Sequence, residues 1–254
     1  MKILFIGDVQ GQANVSKLSK IVPEMRKSES VDLVIVNGEN SADGNGITPS
    51  SATALFEFAD MITTGNHAFK RKEAESLFNE RAEVIRPLNY GEHCPGKGIH
   101  TFDFGYCELC VINIMGNHYM PICDNPFHGI DAALSKVTAK NIIVDFHAEA
   151  TSEKKAMGYY LAGRVSAVLG THTHVQTADE QIIDGHTAYI TDVGMVGAVD
   201  SIIGANKNII SVFTDYYPKK HTYATGESVF EAVLLDIDAS TGAAKSIKRI
   251  KKII

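Results

Sequence analysis

The chain reads as an α/β protein, and two observations carry that reading. In the first half, short apolar runs alternate with stretches whose apolar residues recur at helical spacing. In the second half, strand-like runs follow one another with little helix between them, which points to a mixed or antiparallel sheet there. A third observation says what such a sheet would be for: five of the strand-like runs end in residues able to ligate a metal.

In chain order, the apolar run 2–6 leads into Gly7-Asp8. Residues 15–27 follow as a helix, with Val15, Leu18, Val22 and Met25 on one face among lysines. The run 31–36 leads into Asn37-Gly38-Glu39-Asn40. Thr48-Pro49 has the form of an N-cap followed by proline at the first helical position, opening a helix over 50–59. The run 61–64 leads into Gly65-Asn66-His67 and a helix over 70–80. Residues 101–114 read as a strand and 130–140 as a helix; the run 141–146 then ends at His147, and 153–161 is helical again. Val168-Leu169 runs into Gly170-Thr171-His172-Thr173-His174. If that run is a strand, the period of two puts both imidazoles on one side of the chain where it leaves the sheet. Strands over 186–191, 228–238 and 245–253 complete the chain. The lysines interleaved with isoleucines over 245–252 fit a solvated edge strand better than a nucleic-acid patch, because edge lysines discourage further pairing.

Composition narrows the class. With 254 residues, 44% of them hydrophobic, there is ample material for a core, and one domain over 1–254 is expected. A net charge of −6 argues against a general nucleic-acid or membrane-surface binder, which needs a strongly basic face. The opening residues 1–6 are too short and too soon followed by Asp8 to be a signal sequence, and no apolar stretch has transmembrane length, so a cytoplasmic protein is expected. Cys107 and Cys110 form a C-x-x-C flanked by Cys94 and Cys123, superficially a four-thiolate zinc site. Residues three apart on a strand point to opposite faces, however, so reduced and partly buried thiols are the expectation.

The strand-end residues Asp8, Glu39, Asn40, Asn66, His147, His172 and His174 offer carboxylates, amide oxygens and imidazoles without thiolate. That mixture suits manganese, iron or zinc better than calcium, whose sites are all oxygen. They are too many for one zinc and about right for two ions sharing a carboxylate, roughly 3.5–4 Å apart, as in two-metal hydrolases. Alternatives stand beside this reading. Gly7 and Gly11 could open a nucleotide loop but lack its glycine pattern or its Gly-Lys-Ser/Thr, and Asn40 and Asn66 taken singly are ordinary turn residues. Gly116-Asn117-His118 repeats the Gly-Asn-His triplet and could line a substrate cleft, whereas His93, His100, His128, His186 and His221 read as surface or turn histidines.

Gly7-Asp8, Gly38-Glu39-Asn40, Gly65-Asn66-His67, His147 and Gly170-Thr171-His172-Thr173-His174 resemble, in order and spacing, the motifs of the calcineurin-like metallophosphoesterases. Gly-Glu-Asn in place of the usual Gly-Asp motif, the segments 163–168 and 175–179, and Asp192-Val193-Gly194-Met195-Val196-Gly197 make the chain similar to the bacterial YmdB-type phosphodiesterases. The resemblance implies a four-layer αββα fold of two mixed sheets packed face to face between helices. It implies one ion on Asp8, Glu39, Asn40 and His174 and a second on Glu39, Asn66, His147 and His172, with Glu39 bridging and iron or manganese favoured over zinc. It also implies a metal-bridging hydroxide as nucleophile and His67 as the general acid, its pKa raised by a nearby anion. One departure is Gln10, where the wider superfamily has a histidine; the first ion is then expected to bind more weakly, with Asn40 compensating.

A small phosphodiester such as a 2′,3′-cyclic nucleotide is the implied substrate, with RNA-linked regulation; a homo-oligomer is left open. The sequence has no base-stacking aromatic cluster, only scattered Tyr119, Phe127, Tyr216 and Tyr217. The glycine-rich stretch 194–204 reads as a loop that closes over phosphate through its backbone amides. A phosphomonoesterase or 5′-nucleotidase on the same metals, and a catalytically silent metal- and nucleotide-binding regulatory module, are the rival readings; the latter has no need of an acid such as His67.

Overall fold

The computed structural model describes residues 1–216 and 222–254; Tyr217 and His221 lie outside them. Strand β1 (Lys2–Ile6) and the short β2 (Asp8–Val9) lead into helix α1 (Gly11–Glu29), then β3 (Leu33–Asn37), α2 (Pro49–Leu55), β4 (Met61–Thr63) and α3 (Ala74–Glu80). The chain continues through β5 (Ile99–Asp103), β6 (Glu108–Met115), α4 (Pro126–Leu134), β7 (Asn141–His147), α5 (Thr151–Tyr160) and β8 (Ala167–Thr171). It ends with β9 (Gln181–Ile183), β10 (Thr187–Ile190), β11 (Met195–Ala198), α6 (Ile210–Thr214), β12 (Ser228–Ile237) and β13 (Ala244–Ile253).

Two mixed sheets result. The first runs β2-β11-β12-β1-β3-β4, with β13 on the outer side of β12 as its edge; the second runs β5-β6-β7-β8-β10-β9. Strict alternation along the strands builds the layers. Ile3, Phe5, Leu33 and Ile35 join Leu109, Val111, Ile143 and Leu169 in one buried cluster between the sheets. Their neighbours Leu4, Ile6, Val34 and Val36 face outward onto Val15, Leu18 and Val22 of α1. On the far side, Ile112, Val144 and Phe146 pack against Ile130 of α4 and Met157 of α5. Each fully buried aliphatic side chain contributes about 1.5–3 kcal/mol, so both faces of each sheet are fixed by burial. This is the four-layer αββα arrangement.

Parallel register then brings the strand ends together. Ile6 pairs with Val36 and Asn37 with Thr63, so the ends of β1, β3 and β4 bring Gly7, Gly38-Glu39 and Gly65-Asn66 to one rim, with Asp8 beside them at the start of β2. Met115 pairs with His147 and His147 with Thr171, so the second sheet delivers Gly116, His147 and His172 along its own rim.

Several boundaries differ from the sequence expectation. Residues 101–114 form two antiparallel strands, because Gly105 takes φ +79° and its amide donates to Asp103 Oδ1 at 2.7 Å, turning the chain. The helix expected over 130–140 starts earlier, since Asn125 Oδ1 accepts the amides of Phe127 and His128 at 2.9 and 3.3 Å ahead of Pro126. The helix expected over 70–80 is confined to Ala74–Glu80; Arg71 is drawn aside to donate to the Asn45 and Ala42 carbonyls at 2.9 and 3.1 Å. All four cysteines are free, with Cys107 in the turn before β6 and Cys110 buried within it. No helix among the described residues is long and apolar enough to cross a membrane.

Candidate metal centre

The two rims meet in a cleft of ≈ 270 Å³ lined by Glu39, Asn40 and His67 from the first sheet and by Glu149, His172 and His174 from the second. Asp8, Asn66 and His147 stand beneath or beside them, so all eight residues singled out in the sequence come together. One group is compact: ligand atoms of Glu39, His147 and His172 all lie within 4.8 Å of one another.

His147 is fully buried at the centre of this group. Its Nδ1 meets Thr171 Oγ1 at 2.9 Å, and that hydroxyl donates to Asp145 Oδ1 at 2.7 Å. The hydroxyl proton is thereby committed, so Thr171 accepts from Nδ1–H and Nε2 is turned to the cleft. Around Nε2 stand Asn66 Oδ1 at 2.8 Å, His172 Nδ1 at 3.1 Å and Glu39 Oε1 at 3.2 Å. One proton on Nε2 can bond one of these acceptors, whereas a cation can bond all of them. Asp8 adds a second sign: its buried Oδ1 finds no hydrogen-bond partner, and His174 Nε2 stands 3.6 Å away. The residues therefore fit a metal.

Electrostatics follow from this crowding. Burial raises the Asp8 carboxyl, but His174, His147 and the His172 amide hold it well below the usual range. Burial likewise opposes ionisation of Glu39, and His147 and His67 outweigh it. Burial and the neighbouring His147 push His172 down to about 3, so it is a neutral donor at pH 7. Burial lowers His174, yet Asp8 more than offsets it and the imidazole rises to about 9. For His67 the expectation was a pKa raised by an anion. Instead burial, helped by His147 and Lys70, overrides Glu39 and lowers it. Its Nδ1 meets Asn40 Oδ1 at 2.7 Å, which leaves Nε2 to face an incoming group.

The His-Thr-His stretch corrects a second expectation. Strand β8 stops at Thr171, and His172 and His174 take φ +100° and +62°, so a turn rather than strand alternation converges the rings. Carboxylates pin that turn: the His172 amide donates to Asp8 Oδ2 at 3.1 Å and the Thr173 amide to Asp192 Oδ2 at 3.0 Å. Asp192 is held in turn by the buried Lys154, whose Nζ lies 2.6 Å from Oδ2 and 2.7 Å from the Thr171 carbonyl. Lys154, Asp145 and Thr171 were missed as site residues. A signal existed for Lys154, which shares a buried face with Met157 of α5 at i+3 and with Leu161, the cap of that helix, at i+7.

Gln10 sits against the site with Nε2 3.2 Å from His174 Nε2. Asn40, expected to compensate for it, turns its oxygen to His67 and its nitrogen toward His174 at 3.4 Å. Glu149 Oε2 lies 3.0 Å from His172 Nε2 and orients that ring. The stretch 194–204 is not a free phosphate loop: Met195–Ala198 is strand β11, and the Gly194 and Gly204 amides donate to Asp192 Oδ1 and Ser201 Oγ, each at 2.9 Å. His118 does not line the cleft; its Nδ1 lies 3.2 Å from Glu153 Oε1.

Comparison with known proteins agrees with this architecture. A 2′,3′-cyclic-nucleotide 2′-phosphodiesterase of Bacillus subtilis is 43% identical over 98% of this chain and 96% of its own length. A crystal structure described as a novel phosphatase, from Mycoplasma pneumoniae, superposes with TM-score 0.94 at 32% identity, covering 100% of this chain and 93% of that one. A hypothetical protein from Thermus thermophilus superposes equally well, TM-score 0.94 at 39% identity over 100% of this chain and 99% of that one. The family model described as YmdB-like protein matches residues 4–250, and the chain belongs to the YmdB-like family.

Proposed function

We propose that this chain is a metal-dependent phosphodiesterase that hydrolyses small phosphodiesters, with 2′,3′-cyclic nucleotides as substrates. The observation that carries the reading is the ring of acceptors about His147 Nε2, with His67 standing in the same cleft. Glu39, Asn66, His147 and His172 would hold one ion and Asp8, Glu39, Asn40 and His174 another, Glu39 serving both. An all nitrogen-and-oxygen donor set supports iron or manganese, and zinc also fits it. Bound there, two cations neutralise the phosphate charge and acidify the attacking water.

The chain's own residues supply the rest. Water adds to phosphorus and gives up one proton to solvent, the bond to the leaving ester oxygen breaks, and that oxygen takes a proton from the protein. His67 is the donor. Burial lowers its pKa in the resting site, and an anionic phosphate entering beside it acts in the opposite direction and favours the protonated ring. Asn40 Oδ1 fixes its Nδ1–H, so the proton is delivered from Nε2. Asp145 and Thr171 keep His147 in the tautomer that ligates.

The Mycoplasma pneumoniae likeness keeps monoester hydrolysis as the second reading. Turnover of 2′,3′-cyclic AMP against that of adenosine 3′- and 5′-monophosphate, with manganese or iron added, separates the two. Diester hydrolysis lost in His67→Ala is the expected result; faster monoester hydrolysis would favour the phosphatase, and no turnover of either a silent binding module. An RNA-linked role rests on the resemblance alone.

A further inference from the structure

Among the described residues that line the cleft, beside Glu39, Asn40, Glu149 and the imidazoles, Ile203 is the one with a branched aliphatic side chain. Its conformation is as unusual as its place. Ile203 has φ +47°, a left-handed backbone that β-branched residues rarely adopt. Ile202 and Ala205 exchange backbone hydrogen bonds, each 2.9 Å, which closes a two-residue hairpin with Ile203 and Gly204 (φ +94°) at its tip. A turn with both central residues at positive φ favours Asn-Gly. Core packing does not account for isoleucine here, because the residue is 50% exposed. Its carbonyl accepts from His174 Nδ1 at 2.8 Å, which fastens the hairpin tip to the His-Thr-His turn and holds the side chain beside the metal cluster. Strain of this kind in a cleft points to what the residue touches there.

We propose that Ile203 is a specificity-determining residue, the apolar wall against which the base of a nucleotide substrate lies while its phosphate sits at the metal cluster. A nucleobase has an apolar face that gains from such a surface, whereas phosphate and ribose do not. This assignment rests on the nucleotide reading of the site given above.

The test compares wild type with Ile203→Asn and Ile203→Gly, all manganese-loaded. Thermal stability is measured first, then calorimetric binding of adenosine 3′-monophosphate and of ribose 3-phosphate, which lacks the base. Both substitutions suit the turn, so Tm rises by about 2–4 °C. Affinity for adenosine 3′-monophosphate falls about tenfold while that for ribose 3-phosphate changes less than about twofold. Equal losses for the two ligands, unchanged nucleotide affinity, a lowered Tm, or a wild type that binds neither ligand would overturn the assignment. If wild type binds the nucleotide with this pattern but fails to hydrolyse 2′,3′-cyclic AMP, the phosphodiesterase reading falls and the wall stands.

Discussion

The chain carries the triplet Gly-Asn-His twice, and the two copies fold alike. Gly65-Asn66-His67 follows β4 and wraps the buried Glu39, whose Oε2 accepts the His67 amide at 2.9 Å. Gly116-Asn117-His118 follows β6 and wraps the buried Glu153, which accepts the Asn117 and His118 amides at 3.0 and 3.3 Å. Both glycines lie so close to their glutamate that a Cβ would collide with it. The difference lies across from them. The first triplet faces His147 and His172 from the other sheet, whereas the second carries an imidazole, His118, that is 68% exposed and, among the described residues, pairs with Glu153. The triplet thus specifies a turn around a carboxylate, and the apposition of two sheets makes one of the two turns a site.

Exchanging the glutamates breaks the parallel most sharply. Glu39→Gln should reduce turnover to the chelated background and lose bound metal by elemental analysis. Glu153→Gln should keep both and lower Tm by about 2–4 °C for each kcal/mol of lost hydrogen bonding. The histidines come next: His67→Ala should lower kcat by about 10²–10⁴-fold with metal content unchanged, and His118→Ala should leave kcat within about twofold. A smaller effect tests what lies beneath the first triplet. Thr171→Val cuts the link between Asp145 and His147, and manganese affinity by titration calorimetry should weaken about 10–100-fold.

The smallest effect is one of pH. In chelator-treated protein the His174 pKa, raised from 6.5 to about 9 by Asp8, makes that pair stabilising below about pH 6.5 and progressively less so as pH rises through 9. Its Tm should therefore fall by a few degrees between those values, about 2–4 °C per kcal/mol. A bound cation takes the place of that proton, so manganese-loaded protein should not show the fall.

Long-period features were readable from residues alone. Short apolar runs placed β1, β3 and β7, the lysine-rich β13 fell at an edge as expected, and the strand-end ligands were visible because parallel strands deliver their last residues to one rim. Features set by tertiary partners were not. The sense of the His172–His174 turn depends on Asp8 and Asp192, far away in sequence. The lowered His67 pKa depends on burial that no local pattern reveals. The split of residues 101–114 turned on Gly105 and two local bonds, its amide to Asp103 Oδ1 and the Phe104 amide to the Cys107 carbonyl, within a run that is otherwise strand-like.

The most direct test of the account follows 2′,3′-cyclic AMP hydrolysis through a titration of chelator-treated protein with manganese, with bound metal counted at each step. No turnover is expected before metal, turnover should grow as two ions bind per chain, and both should be lost on re-chelation. Hydrolysis that persists in chelator, or two ions bound without turnover, would contradict it.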